Sequence, residues 1–273
     1  MSRSPIAFLS RIALALCLAS LGGALSVSRA WALDQGDDVS RLFSFGGACV
    51  DCELSGRKLA QAHFVGANFS GALMVGSDLQ GAWFVGANFS KANLARADLS
   101  GASLLGADFS GTDFTDAKLT GIRGHGADFS GANLTRTNLE GASLLGSQLA
   151  HVNARDANLT GASMFAATLT DGHFERASFR GASLIAANLN GSTFAGADFT
   201  GANLTHANLT SADLSGAKGL TQAQLDVACG APTTHLPAGL VSRPCHSGGP
   251  NVIILHSNSP GRGPRSIVET SGF

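Results

Sequence analysis

The feature that most constrains this chain is a period of five. Counting in steps of five from Leu54, positions 54 to 214 hold Leu or Phe in 29 of 33 cases, and the residue two before each is Ala in 23 of them. The residue in between is often Asn or Asp, as in Ala67-Asn68-Phe69, Ala107-Asp108-Phe109 and Ala202-Asn203-Leu204. An amphipathic helix repeats near 3.6 residues and a strand at 2, so neither accommodates this pattern. A chain that turns a corner every five residues does. Each side of such a coil points one large and one small apolar side chain inward, with Ala at the corner, where space is least. The Gly, Ser and Thr residues between them suit turns and solvent. A single coil cannot bury its own inner faces, and only stacking coil on coil does so, which makes the chain a solenoid.

Four frame positions depart from Leu or Phe. Met74 and Met164 match the volume they replace. Gly124 and Ala154 do not, but Ile122 and Val152 stand two residues before them, where Ala is usual. Large and small have exchanged places, which keeps the interior volume roughly constant; the other reading is a pair of tolerated defects.

These features resemble the pentapeptide repeat family, whose motif A-(D/N)-(L/F)-x-x is matched nearly throughout residues 52–216. The resemblance implies a right-handed quadrilateral β-helix with four pentapeptides per coil. Residues 52–218 would then form an all-β solenoid of about eight coils, about 40 Å long at the usual strand spacing. Some members of the family mimic duplex DNA with an acidic rod and protect gyrase. Here the chain carries a formal net charge of −1, so neither a DNA mimic nor attraction to nucleic acid is supported by charge. The gyrase-binding function is the last of the readings.

The ends differ from the repeat. Arg3 and Arg11 precede an apolar run from Ile12 to Leu25, and Ala30-Trp31-Ala32 supplies small residues around a cleavage point. This is the layout of a secretory signal peptide over 1–32, and the run is short for a membrane span. Uncleaved, it would be an anchor and the protein's one membrane contact. Lipidation at Cys17 is disfavoured by Leu16, where a small residue is wanted. The expected location is the periplasm or the cell exterior. Residues 33–51 form an N-terminal segment and cap.

Cleavage leaves Cys49, Cys52, Cys229 and Cys245, an even count that in an exported chain favours disulfides. The Cys49-x-x-Cys52 spacing also leaves open a redox pair or half a metal site. Leu220-Thr221-Gln222-Ala223-Gln224-Leu225 reads as a helix start: Thr221 is the N-cap, Gln224 completes a capping box, and Leu220 and Leu225 are placed for a hydrophobic staple. A short helix near 222–229, stopped at Gly230, is expected to cover the last coil within a cap over 219–246. Residues 231–245 read as a loop tied back by Cys229 and Cys245. The Gly-, Pro- and Ser-rich stretch 247–273 reads as a flexible tail.

The search for catalytic chemistry yields little. No pair of the eight histidines has helical metal spacing, and none has an evident nucleophile partner. The Ser, Thr, Asp and Asn residues recur with the frame, so they read as a solvated face, and the glycines mark corners rather than a phosphate cradle. The expectation is a protein that is not an enzyme and holds no cofactor. What stands out is the residue after each large one. Every twentieth residue from 65 gives Val65, Val85, Leu105, His125, Leu145, Phe165, Ile185 and Thr205, with Trp83 beside the line. The equivalent series from Ser70 is small and polar. A one-sided apolar stripe of this kind marks an association surface, unless the chain's own N-terminal segment or tail folds over it. The sequence therefore points to a scaffold or protein-interaction rod that binds a partner or itself through Val65, Trp83, Val85, Leu105, Leu145, Phe165 and Ile185. The alternative is an envelope redox or enzyme-accessory protein using Cys49 and Cys52.

Overall fold

The computed structural model describes residues 47–245 and the backbone of two further strands. The segment expected to be a signal peptide, 1–32, and the residues between it and Gly47 lie outside the described residues. Throughout the repeat, with Val152 and Gly172 as exceptions, the small inward residue donates its N–H to the carbonyl of the large inward residue three before it, as from Ala62 to Leu59 (3.1 Å) and from Ala92 to Phe89 (2.9 Å). The residue just before the small one always has positive φ, from +52° at Ala166 to +73° at Gly196. A positive φ at the third residue is what a type II turn requires, and glycine occupies most of these corners because it adopts it without steric cost. Lys91, Arg136 and Asp156 show that a side chain is accepted there, at a cost on the order of 1–2 kcal/mol.

Four such corners close a coil, and the next coil begins twenty residues on. Asn68 pairs in parallel with Asn88, Trp83 with Ser103, and so on without a break from Ala48–Asn68 to Asp198–Lys218. The result is the right-handed quadrilateral β-helix that the repeat implies. Its four faces are named here in chain order. Face A carries Phe64, Phe84 and Leu104 inward, face B Phe69, Phe89 and Phe109, face C Met74, Leu94 and Phe114, and face D Leu79, Leu99 and Leu119.

The interior is almost wholly apolar, and its large side chains from Phe69 to Leu214 are at most 2 % exposed. Because the frame repeats every coil, like stacks on like. Phe69, Phe89, Phe109 and Phe129 form one column with ring centroids 5.0–5.2 Å apart, and Phe69, Phe84 and Phe89 meet edge-to-face across the corner. Ser or Thr replaces the small Ala at a few buried sites, and there the hydroxyl donates to a carbonyl: Ser77 to Met74, Thr112 to Phe89, Thr137 to Phe114. A buried hydroxyl with such a partner avoids the penalty of an unmet donor.

The exchange of large and small is visible in the packing. Ile122 is fully buried, and a Cβ built on Gly124 would lie 3.0 Å from Leu144 Cδ2 and 3.8 Å from Ile122 Cδ1. Val152 and Ala154 are likewise fully buried.

At the C-terminal end α1 spans Gln222–Asp226. Thr221 is its N-cap, and the capping box with Gln224 is present. Gln224 does more than cap: its Nε2 donates to the carbonyls of Phe199 and Ala202, two groups of the last full coil. Leu225 is buried and Leu220 packs against the core. The helix stops at Asp226, earlier than Gly230. The coil reclaims the chain, since Val227 accepts from the His206 N–H and Cys229 donates to the Ala207 carbonyl. Nor is 231–245 simply a tied loop. Cys229 pairs with Asn208 and His235 with Asp213, so the cap adds one more rung to faces B and C. Further on, β1 (Val252–His256) and β2 (Ser266–Thr270) pair antiparallel. The pairing departs from the expectation of a mostly flexible tail, in which Val252 to Leu255 alone stood out: Val252-Ile253-Ile254-Leu255 and Ile267-Val268 have the aliphatic, β-branched character of strands.

Both cysteine pairs are bonded in the structure. Cys49 and Cys52 span the first corner with 5.3 Å between Cα atoms, and Cys229 and Cys245 are 4.7 Å apart across sixteen residues. Both separations lie in the range that disulfide geometry needs.

Two predictions follow from the packing. Ile122→Ala should destabilise the rod by roughly 2–5 kcal/mol, as core truncations do, because Gly124 opposite offers nothing to refill the space; a thermal melt that does not move would show that Ile122 does not support the core. Mass spectrometry of unreduced mature protein should find two intact bridges, and reducing Cys229–Cys245 should cost roughly 3 kcal/mol. Four alkylatable thiols in protein taken from an oxidising compartment would contradict this.

Candidate interaction face

The Asn and Asp residues in the middle of each face are not merely solvated, as the sequence suggested. They are half-buried, and their Oδ1 atoms accept from the backbone N–H two residues on. Asn68 accepts from Ser70, Asn88 from Ser90, Asp108 from Ser110 and Asp128 from Ser130, at 2.8–3.0 Å on face B. Faces C and D repeat the arrangement wherever Asp or Asn holds the row, for example Asp113 with Thr115 and Asp98 with Ser100, and it lapses at positions such as Leu73, Lys118 and, on face B, Gln148. Each bond satisfies the one N–H of the corner that the ladder leaves over.

Face A lacks this device. Its middle row reads His63, Trp83, Ser103, Arg123, Ser143, Ser163 and Ser183, and an Asn appears only at position 203, where it accepts from Thr205. Among the described residues, the N–H groups of Val65, Val85, Leu105, His125, Leu145, Phe165 and Ile185 have no protein acceptor. Covering such a group without supplying an acceptor costs about 1–3 kcal/mol. These seven donors lie along the apolar stripe itself.

The stripe faces outward as the frame requires. Val65 and Phe165 are 49 % and 48 % exposed, Leu105 and Leu145 36 % each, while Val85 and Ile185 are half-buried. Trp83 is exposed on one side and stacks on His63 with 5.0 Å between ring centroids. Arg123 and His125 interrupt the line on either side of Gly124, the position where large and small are exchanged, and His125 Nε2 lies 2.7 Å from Ser143 Oγ. Exposed apolar side chains elsewhere are scattered: Val50, Leu73, Val227 and Val241.

The edges of face A sharpen the contrast. One corner row is Gly81, Gly101, Gly121, Gly141, Gly161, Gly181 and Gly201, and the other is Gly66, Gly86, Gly106, Gly126, Gly146, Ala166 and Ala186. Along the row from Gly66 to Ala186 nothing taller than a methyl group stands beside the stripe, whereas the other corner also carries Gln80, Glu140 and Arg180, and Gln61 reaches over Gly81. The corner between faces C and D, on the far side, instead carries Arg96, Asp116, Arg136, Asp156 and Arg176. Arg136 grips Asp116 with two bonds (2.6 and 2.8 Å), and Arg176 grips Asp156 likewise. These exposed pairs are screened by solvent and add little to stability, but they tie coil to coil.

One polar cluster could be mistaken for a catalytic site. Glu175 accepts from the Thr193 hydroxyl at 2.8 Å, and Arg155 lies 3.0 Å from the same carboxylate. His173 Nδ1 is 3.1 Å from Thr193 Oγ1 and 3.4 Å from Glu175. Burial pushes the Glu175 carboxyl up, but its own backbone N–H, the Thr193 hydroxyl, Arg155 and His173 outweigh that and hold it below the usual range. The hydroxyl proton goes to the carboxylate and not to the imidazole, so the set anchors neighbouring coils and does not activate a nucleophile. At the N-terminal end the bonded Cys49 and Cys52 are half-buried and pack against the core.

The family model for pentapeptide repeats matches in 8 copies over residues 52–90, 87–123, 127–164, 157–194 and 182–218. The chain belongs to the pentapeptide repeat family. Such proteins are in general non-catalytic repeat rods. Among solved structures, the chain is similar to HetL, a pentapeptide repeat protein involved in heterocyst differentiation regulation in the cyanobacterium Nostoc sp. PCC 7120. The two are 29 % identical over 72 % of this chain and 87 % of HetL, with a TM-score of 0.65. A pentapeptide repeat protein of the Arabidopsis thaliana thylakoid lumen is 27 % identical over 65 % of this chain and 74 % of its own, with a TM-score of 0.23. QnrB1, a plasmid-mediated fluoroquinolone resistance protein, is 24 % identical over 69 % of this chain and 89 % of its own, with a TM-score of 0.37. The comparison with curated proteins returns no match.

The side-chain bonds of the repeat also set its response to acid. The Thr200 hydroxyl and N–H, with Arg180, hold the Asp198 carboxyl down at about 2. Its folded value lies below its unfolded one, so the stability it gives is complete above the ordinary carboxylate range and drains away as pH falls towards about 2. The melting temperature of Asp198→Asn should therefore fall less than that of the parent between neutral pH and pH of about 2. Parallel acid limbs would mean that Asp198 does not contribute.

Proposed function

We propose that this protein is a non-catalytic scaffold or interaction rod of the cell envelope, which binds a partner protein or a second copy through face A. The observation that carries the reading is the coincidence on one face of three things: the apolar line Val65, Val85, Leu105, Leu145, Phe165 and Ile185, an edge of glycine and alanine from Gly66 to Ala186, and a row of unpaired N–H donors. A solvent-facing surface gains nothing from any of them, whereas a docking surface uses all three. Export to the periplasm or the cell exterior is the setting that the basic start, the apolar run and Ala30-Trp31-Ala32 support, and two bonded cysteine pairs suit an oxidising compartment.

The test is to replace Leu105, Leu145 and Phe165 together with Ser in the mature protein. Their side chains lie outside the core, so the circular dichroism spectrum and the melting temperature should stay close to the parent. Either the mass in solution should halve, or the partner recovered from envelope extract with the parent should be lost. Unchanged mass together with unchanged partners would remove the proposal, and so would unfolding, since it would make these side chains part of the monomer's own core.

A further inference from the structure

Face A differs from the other faces in charge as well as in apolarity. Its ionisable side chains are His63, Arg123 and His125, and it holds no carboxylate. Arg123 and His125 are exposed and sit midway along the stripe, with Val65 and Ile185 sixty residues, or three coils, to either side. We propose that the occupant of face A is an acidic, apolar polypeptide segment of another protein, its aliphatic side chains against the stripe and its carboxylates against Arg123, His125 and the unpaired N–H row. The proposal rests on the reading of face A as the contact surface and adds the chemistry of what it contacts.

Three arguments select this occupant. Any group that covers the stripe must also meet the seven N–H donors, and an ionised carboxylate is an acceptor with no donor of its own. Hydrogen bonds from backbone N–H and guanidinium groups to a carboxylate are charge-assisted, which makes them stronger than neutral ones. A second copy offers the wrong complement: a two-fold arrangement that overlaps the whole stripe turns about position 125, placing Arg123 and His125 of one copy over those of the other. Like charges across a contact select against that pairing. Lastly, the row of glycine and alanine from Gly66 to Ala186 lets a second backbone approach along that edge without meeting a tall side chain, which suits an extended segment laid along the rod.

The experiment uses the mature chain and three labelled peptides of about twelve residues, long enough to span the face. One alternates Val with Glu, one Val with Lys, and one Val with Ser. Binding is read by fluorescence anisotropy at low and at high salt. The Glu peptide should bind at least about tenfold more tightly than the Lys peptide, with the Ser peptide between them and the gap closing as salt rises. Arg123→Gln with His125→Gln should remove most of that gap while stripe-dependent binding persists, and Arg123→Glu should reverse the order. Binding that survives replacement of Leu105, Leu145 and Phe165 by Ser would sink face A as a contact surface, and this proposal with it. Stripe-dependent binding with no charge preference, or with a preference that the changes at positions 123 and 125 leave untouched, would overturn this proposal alone. A doubled mass that peptide does not dissociate would assign the face to a second copy. Glu-peptide binding that appears only after Asp37→Asn and Asp38→Asn would assign it to the chain's own acidic segment before Gly47. Either result overturns the proposal.

Discussion

Everything in this rod hangs on the step of twenty residues between hydrogen-bonded neighbours. Along a face each coil both donates to and accepts from its neighbour, as Phe64 donates to the Trp83 carbonyl one coil on and Trp83 donates back to the Ala62 carbonyl. Such a ladder has no lateral freedom. A coil of nineteen or twenty-one residues would misplace every later corner, and each large side chain would lose the one stacked beneath it. The type II corner is what keeps the step constant, because it always consumes the same residues and always returns the chain at the same angle. Where the step does change, at Asn208–Cys229 and Asp213–His235, the repeat has ended and a helix has taken up the difference.

The frame was legible because burial here depends on position modulo five. Leu, Phe and Ala at the frame positions stand inward, and the two exchanges at Ile122–Gly124 and Val152–Ala154 read as compensating volume from the sequence alone. The capping box at Thr221 and Gln224 was legible for a similar reason, since it is a local rule. What escaped the sequence is the work of the polar middle row. Nothing in the recurrence of Asn68, Asn88 and Asp108 distinguishes a solvated residue from one that accepts a corner N–H. The same gap hid the unpaired donors of face A, which are defined by the absence of Asn or Asp from seven coils. The helix end at Asp226 was missed because it depends on where the last coil needs its backbone, and not on a stop signal at Gly230.

Gly172 shows how far the interior is shared between neighbouring positions. It occupies a site that is Ala in most repeats, and a Cβ there would lie 2.5 Å from the Phe174 ring. The ring has moved into the corner, and the backbone N–H of Gly172 is met by Ser192 Oγ from the next coil. A change of one side chain is thus absorbed by its partner within the same pentapeptide and by the equivalent site one coil on, and it travels no further. This is the locality expected of a solenoid, in which each unit feels only its neighbours.

The corner also makes the outer surface a matter of counting. Removing five residues from the repeat would leave the inward pattern of large and small intact, since every pentapeptide has the same frame, and the coils would still close. The outward pattern would not survive. All residues beyond the deletion would turn by a quarter of a revolution, and the stripe that runs from Val65 to Ile185 would break into two pieces on adjacent faces. Removing twenty would shorten the stripe and keep it straight. The core therefore tolerates change in units of one pentapeptide, while face A tolerates it only in units of four. A lineage that gains and loses repeats while needing this face would be confined to whole coils, although its stability alone would allow any number of pentapeptides.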